Sequence, residues 1–211
     1  MSDAPLTFLE AHLPEAFARA MERLREHADE GEAWAQSRLA DAEGAHGAVA
    51  LVLEGEGGGR INIVIERAVL SVVADVPGGV TVQAAVAAPA DAAQQGLAML
   101  VASGFDLAKV STRLTSIASA KAARLLAAQP STFAVEINGL PVVGDLKIRV
   151  GLGVSEPPNA PSFTVVTSYA DILSARDQKL APPQMLIAGK LKILGDSVKA
   201  MQLGMLVMQL R

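Results

Sequence analysis

The residues to which chemistry would first be assigned are three histidines, His12, His27 and His46, a glycine run, and a few spaced carboxylates. The chain has no Cys, which excludes disulfides, thiol nucleophiles and thiolate metal sites. His12 and His27 stand fifteen residues apart on predicted helix, and His46 falls in a loop. No pair has the i, i+4 spacing that would put two imidazoles on one helical face, so all three read as surface residues. Gly55-Glu56-Gly57-Gly58-Gly59 resembles a phosphate loop only superficially. That fold of chain must open a helix whose free N–H groups meet the phosphate, whereas here Arg60 follows and Ile61, Ile63 and Ile65 alternate as a strand. A hairpin turn is the better reading. Gly189-Lys190 lacks the following Ser or Thr and the upstream glycine of a nucleotide-binding P-loop. Glu54 with Glu56, or Asp171 with Asp177, could form acid–base pairs, but nothing places a substrate between them, and no G-x-S-x-G elbow exists. No catalytic residue, cofactor site or metal site is therefore assigned.

Composition narrows the remaining classes. Of 211 residues, 51% are apolar and only 7 are aromatic, leaving about 100 Ala, Val, Leu, Ile and Met. With 19% charged residues there is ample apolar surface to offset chain ordering, which excludes disorder. The most apolar stretches, near 80–104 and 201–210, are interrupted by Asp91, Gln94 and Gln95 or are too short for a membrane span. The N-terminus has no basic segment ahead of an apolar core, so a cytoplasmic protein is expected, and its Ala-rich composition points to bacteria. The net charge is −4 with basic residues scattered, which argues against nucleic acid as a partner.

The elements that could position a site recur along the chain. Phe17, Met21, Leu24 and Ala28 predict a helix beginning near Pro14, and a short helix follows over Trp34–Ala42. Ala48–Leu53, the alternating Ile61–Ile65, Val69–Val73 and Val80–Val86 predict four strands, after which Pro89 opens a helix. A long, buried helix is predicted over Asp106–Ala128. Strands then recur at Thr132–Ile137, Leu146–Val150 and Phe163–Thr167, with a turn at Asn138-Gly139, and Ser168 caps the next helix. Gly47–Gly55 aligns with Ser131–Gly139, and Val86–Asp91 with Val166–Asp171. The recurrence predicts two tandem related halves, 1–104 (helix, four strands, helix) and 105–211.

The C-terminal end carries the most specific pattern. Leu191 and Ile193 alternate with Lys190 and Lys192, Gly195 can turn the chain, and Asp196 can cap a closing helix. In that helix Val198, Met201, Met205 and Met208 share one face, while Leu203, Leu206, Val207 and Leu210 occupy most of the remainder. A helix apolar nearly all round must be covered by protein, lipid or a partner. Gly189-Lys190-Leu191-Lys192-Ile193-Leu194-Gly195-Asp196, followed by Ala200-Met201-x-Leu203, resembles the closing pattern G-K-L-K-I-x-G-[DN]-x-x-x-A-M-x-L of the sterol carrier protein type 2 (sterol-binding domain) family. The likeness is strongest over 163–203 and continues upstream through Leu180-x-Pro182. Gln178 and Pro183 depart from the family's usual Gly and Gln, and the first half carries Gly104-Phe105-Asp106-Leu107 in place of the closing motif, which makes it a degenerate copy.

The resemblance implies an α/β (α+β) fold: a five-stranded, twisted, mostly antiparallel sheet covered by helices on one side, with an apolar tunnel between them. It implies non-catalytic binding and transfer of a fatty acid, acyl-CoA or sterol-like lipid. At about 0.8 kcal/mol per buried methylene, a fourteen-carbon chain gains roughly 11 kcal/mol gross, so an apolar tunnel needs no catalytic group to bind usefully. Strand and helix periodicity nominates Phe133, Val135, Ile148, Val165, Leu186, Ile193, Met201 and Met205 as its lining. Transient contact with a membrane surface or a lipid-processing enzyme is a further expectation. The alternative is an accessory interaction module for lipid-metabolising enzymes with no functional cavity.

Overall fold

Leu13, Ala16, Phe17, Ala20, Met21 and Leu24 repeat at helical spacing and are all buried along one side of α1 (Pro5–Asp29). In the computed structural model, which describes residues 5–102 and 114–209, this helix starts nine residues before Pro14. Pro14 sits inside it and removes one N–H, but the apolar stripe continues across it from Leu13 to Phe17, and that burial carries the helix through the proline. α2 (Ala33–Glu43) packs on α1 through Ala35 and Ala42.

Four strands follow: β1 (His46–Glu54), β2 (Gly59–Glu66), β3 (Val69–Val73) and β4 (Val82–Pro89), then α3 (Ala90–Ala102). The helix expected over Asp106–Ala128 is not continuous. Residues 106–113 lie outside the described residues, 114–118 are helical, and Ser119 adopts an extended conformation (φ −69°, ψ 154°). Its hydroxyl accepts the Ala122 N–H at 3.1 Å and caps a new helix, α4 (Ala120–Ala128). Serine competes with the helix for backbone donors, so it marks a start more readily than an interior.

The second set comprises β5 (Ser131–Leu140), β6 (Gly144–Leu152), β7 (Phe163–Ser168), α5 (Tyr169–Asp177), α6 (Pro182–Ile187), β8 (Leu191–Gly195) and α7 (Ser197–Gln209). The turn expected at Asn138-Gly139 is displaced. β5 runs on to Leu140 with an irregularity between Ile137 and Leu140, and the chain reverses at 141–143. The Gly139 N–H is satisfied by Asp145 Oδ1 at 2.9 Å, so the Asn-Gly pair is absorbed as a bulge.

All eight strands join one mixed sheet in the order β3-β2-β1-β4-β6-β5-β7-β8, in place of the five-stranded sheet expected. β1 pairs parallel with β4 and β5 parallel with β7, and the other five pairings are antiparallel. Ile63, Val49, Ala84, Leu152 and Ser131 are successive partners and therefore point to one face. On that face α1 packs over Ile63, Ile65 and Leu70, while α4 and α7 pack over Leu152 through Leu126 and Leu206. Helices thus cover the same side of both ends of the sheet. The opposite face carries the small row Ala50, Ala85 and Gly151, against which the β6–β7 loop lies. A Cβ on Gly151 would meet Val154 and Pro158, and Arg60 donates to Glu156 Oε1 at 2.5 Å and to Ser155 O at 3.2 Å.

Candidate functional site

Strand alternation and pairing together determine what β5–β8 present. Ile148 pairs with Val135, Val135 with Val165, and Val165 with Ile193, so the four form one row across four strands on the helix-bearing face. The next row is Val150, Phe133, Phe163 and Gly195, in which the two phenylalanine rings stack with centroids 5.5 Å apart and planes at 10°. On the other side of the first row lie Leu146, Ile137, Thr167 and Leu191. The back of the same strands is polar: Lys147, Glu136, Val166 and Lys192 form the corresponding row, with Lys147 and Glu136 paired at 3.8 Å. The front is therefore an apolar platform, and Phe133, Val135, Ile148, Val165 and Ile193 are only half-buried on it.

The helices place the remaining three nominated residues differently. Leu186 is on α6 and exposed. Met201 and Met205 on α7 are 63% and 53% exposed, in line with exposed Val198 and Met208. The side of α7 turned to the protein is made by Leu203 and Leu206, which pack with Ala122, Leu125, Leu126 and Leu152. The structure thus brings five strand residues together on one face and leaves the two methionines on the outer side of α7. Leu203 and Leu206, 100° per residue round from the methionines, were not distinguished by a helix apolar on every side.

The entry of the chain into α7 is tightly determined. Gly195 has φ +96°, and a Cβ there would stand 2.8 Å from Ser162 O. Asp196 Oδ1 accepts the N–H groups of Val198 and Lys199, both at 3.0 Å, as an N-cap. At the other end of β7, Ser168 Oγ accepts the Asp171 N–H at 3.1 Å, and Lys190 Nζ reaches Ser174 Oγ at 2.9 Å and Asp171 Oδ1 at 3.7 Å. Gln178 donates to Ser174 Oγ at 3.1 Å, and Pro183 follows Pro182 in the first turn of α6.

Cavities of about 270 Å³ and 650 Å³ open among the described residues. The smaller lies between Pro130, Ser131, Lys199, Leu203 and Leu206, at the edge of the platform. The larger lies between the start of β4 and α4. Neither is lined by any of the eight nominated residues. The nearest approach to a metal site among the described residues is exposed His27 and Glu30 with half-buried Glu32, both carboxylates lying 3.4–3.5 Å from His27 Nδ1. No described helix is long and apolar enough to cross a membrane.

The platform, the cap of its closing helix and β8 all fall within one stretch that matches a family model, that of the SCP-2 sterol transfer family, over residues 109–208. Residues 109–208 are an SCP-2 sterol transfer family domain. The SCP-2 domain takes up just under half of the chain and contains β5–β8 and α4–α7. Domains of this family are typically non-catalytic lipid carriers, and membership suggests lipid binding or transfer. No curated protein and no solved structure matches the chain.

Proposed function

We propose that the protein binds and carries a hydrophobic lipid, a fatty acid, acyl-CoA or sterol-like polycyclic lipid, without modifying it. The reading rests on the row Ile148–Val135–Val165–Ile193, a half-buried aliphatic platform inside the SCP-2 domain. With Phe133 beside the row and Leu186 at its helical margin, a lipid lying on the platform completes the burial that the protein leaves unfinished, in an apolar tunnel closed by the helices. Met201 and Met205 take a different part: their exposed thioether chains suit the exchange of cargo with a lipid surface. Residues 176–211 hold six basic and two acidic residues in a chain of net charge −4, so this end favours an anionic surface.

Native mass spectrometry of the purified full chain tests the proposal. A copurifying lipid, or saturable uptake of a fluorescent fatty acid or sterol, is expected. Protein that is consistently empty and takes up neither probe overturns it.

The same reading includes a tandem duplication with halves 1–104 and 105–211. Its support is the connection rule: β1–β2 and β5–β6 are antiparallel neighbours, β4 and β7 return parallel to the first strand of each pair, and a helix follows each return. The aligned segments Gly47–Gly55 and Ser131–Gly139 fall on β1 and β5, and Val86–Asp91 and Val166–Asp171 on β4 and β7 with the starts of their helices.

A further inference from the structure

β3 ends the sheet and lacks the charges and prolines that keep an edge strand from pairing. Val69-Leu70-Ser71-Val72-Val73 is uncharged throughout, whereas the other edge, β8, carries Lys192 and follows Lys190. The two-residue turn Arg67-Ala68 makes Glu66↔Val69 a hydrogen-bonded pair of the β2–β3 hairpin. Alternation from there turns the backbone groups of Val69, Ser71 and Val73 to β2 and those of Leu70 and Val72 outwards. No described residue hydrogen-bonds to Leu70 or Val72 from that outer side. α1 covers the front of β3 through Leu70, while Val69 on the back is 66% exposed.

The sequence about Ser71 is complementary to itself. A second copy, antiparallel about a twofold axis at Ser71, sets Leu70 opposite Val72 and Val72 opposite Leu70. These are the residues whose backbone groups face outwards, so each N–H meets a C=O. On the back, Val69 comes beside Val73 of the second copy and gains an apolar neighbour. Arg67 and Asp75 stand four residues to either side of Ser71, both exposed and neither in an ion pair among the described residues. Each Arg67 therefore falls opposite Asp75 of the other copy. Arg67 has φ +50° and Ala68 φ +60°, in a turn where Asn and Gly are the ordinary choice. Their N–H groups are held by Ala45 O at 3.0 Å and Ala42 O at 2.8 Å, which fixes the turn that presents the guanidinium. We propose that two copies of the chain pair antiparallel through β3, their sheets joined edge to edge and their register set by the two Arg67–Asp75 pairs. This contact lies at the opposite end of the sheet from β8 and does not depend on lipid being carried on the platform.

Sedimentation equilibrium of the purified full chain, from about 1 μM to about 200 μM at low salt, tests the proposal over the affinities that a small interface reaches. A reversible monomer–dimer equilibrium is expected. Arg67→Asp and Asp75→Arg, both at exposed positions, should each weaken it by roughly tenfold or more, because each places like charges opposite one another twice. An equimolar mixture of the two variants should dimerise again, since the mixed pair restores an opposite charge at both contacts. That recovery would not follow from a loss of folding. A chain that stays monomeric throughout overturns the proposal. So does a dimer indifferent to both substitutions, a mixture that fails to recover, or a dimer lost in Met201→Ser with Met205→Ser but retained in Arg67→Asp.

Discussion

Ile193 and Val166 sit one strand apart on opposite faces of the sheet, and the contrast between them separates binding from stability. Ile193 ends the platform row on an edge strand, whereas Val166 stands between Glu136 and Lys192 on the polar back. Removing the aliphatic surface of Ile193 forfeits most of a transfer energy of ~1.5–3 kcal/mol. Ile193→Ser is therefore expected to weaken fluorescent-lipid uptake about tenfold, and Val166→Ser to leave it unchanged, with circular dichroism confirming that both fold. Equal losses would mean that uptake follows global stability and not contact with the platform. The face of each strand residue was legible in the sequence, because a period of two leaves only two faces and the polar residues mark one of them. Phe133, Val135, Ile148, Val165 and Ile193 all fall on the front for that reason. The bulge at Gln83 was not legible, since an inserted residue is defined only by the partner strand that it fails to match.

At the scale of the element, α7 divides its apolar circumference between two tasks. Leu206 is 2% exposed and closes a small core with Leu126 and Leu152, while Met205, one residue before it, is turned outwards. Leu206→Ala is expected to cost about 2–5 kcal/mol, seen as a lowered unfolding midpoint in urea, because the surrounding α4 and β6 side chains cannot collapse fully into the space. Met201→Ser combined with Met205→Ser should change stability by about 0.5 kcal/mol or less per site. That double variant should nevertheless lose co-sedimentation with phosphatidylglycerol vesicles, which the wild type should show at low salt and lose as salt rises. Retained vesicle binding would remove α7 from the exchange step, and loss of a protein partner in its place would favour the accessory-module reading. Helix and cap were both readable in advance, as Asp196 shows. Orientation was not: a helix with leucines on one side and methionines on the other has little asymmetry of hydropathy, and only packing against Leu126 and Leu152 decides which side turns inwards.

For the whole molecule, the junction between β4 and β6 matters most. The two sets of four strands meet only there: β4 borders β1 of its own set on one side and β6 of the C-terminal set on the other. Recurring strands and turns in the sequence pointed to two related sets, but the union of all eight strands into one sheet was not legible, because Ala84↔Leu152 joins residues 68 apart through ordinary antiparallel pairing that carries no local signature. Separation of the halves would leave the β6 edge, with Val150 and Leu152 on its apolar face, unpaired and open to association with other chains. Core residues of both sets contribute to the loss: Ala118, C-terminal to the gap in the described chain, packs in the cluster with Phe17, Met21 and Ile65. Residues 105–211 expressed alone are therefore expected to self-associate or unfold at a markedly lower denaturant concentration than the full chain, as sedimentation velocity and urea titration would report. Co-expression with residues 1–104 should restore a one-to-one complex, since β4 would regain its place beside β6. A monomeric C-terminal half with the stability of the full chain would show that β4 adds nothing to the sheet it joins. The platform would then belong to a self-sufficient unit, and the shared sheet would be a mode of docking between two independent domains.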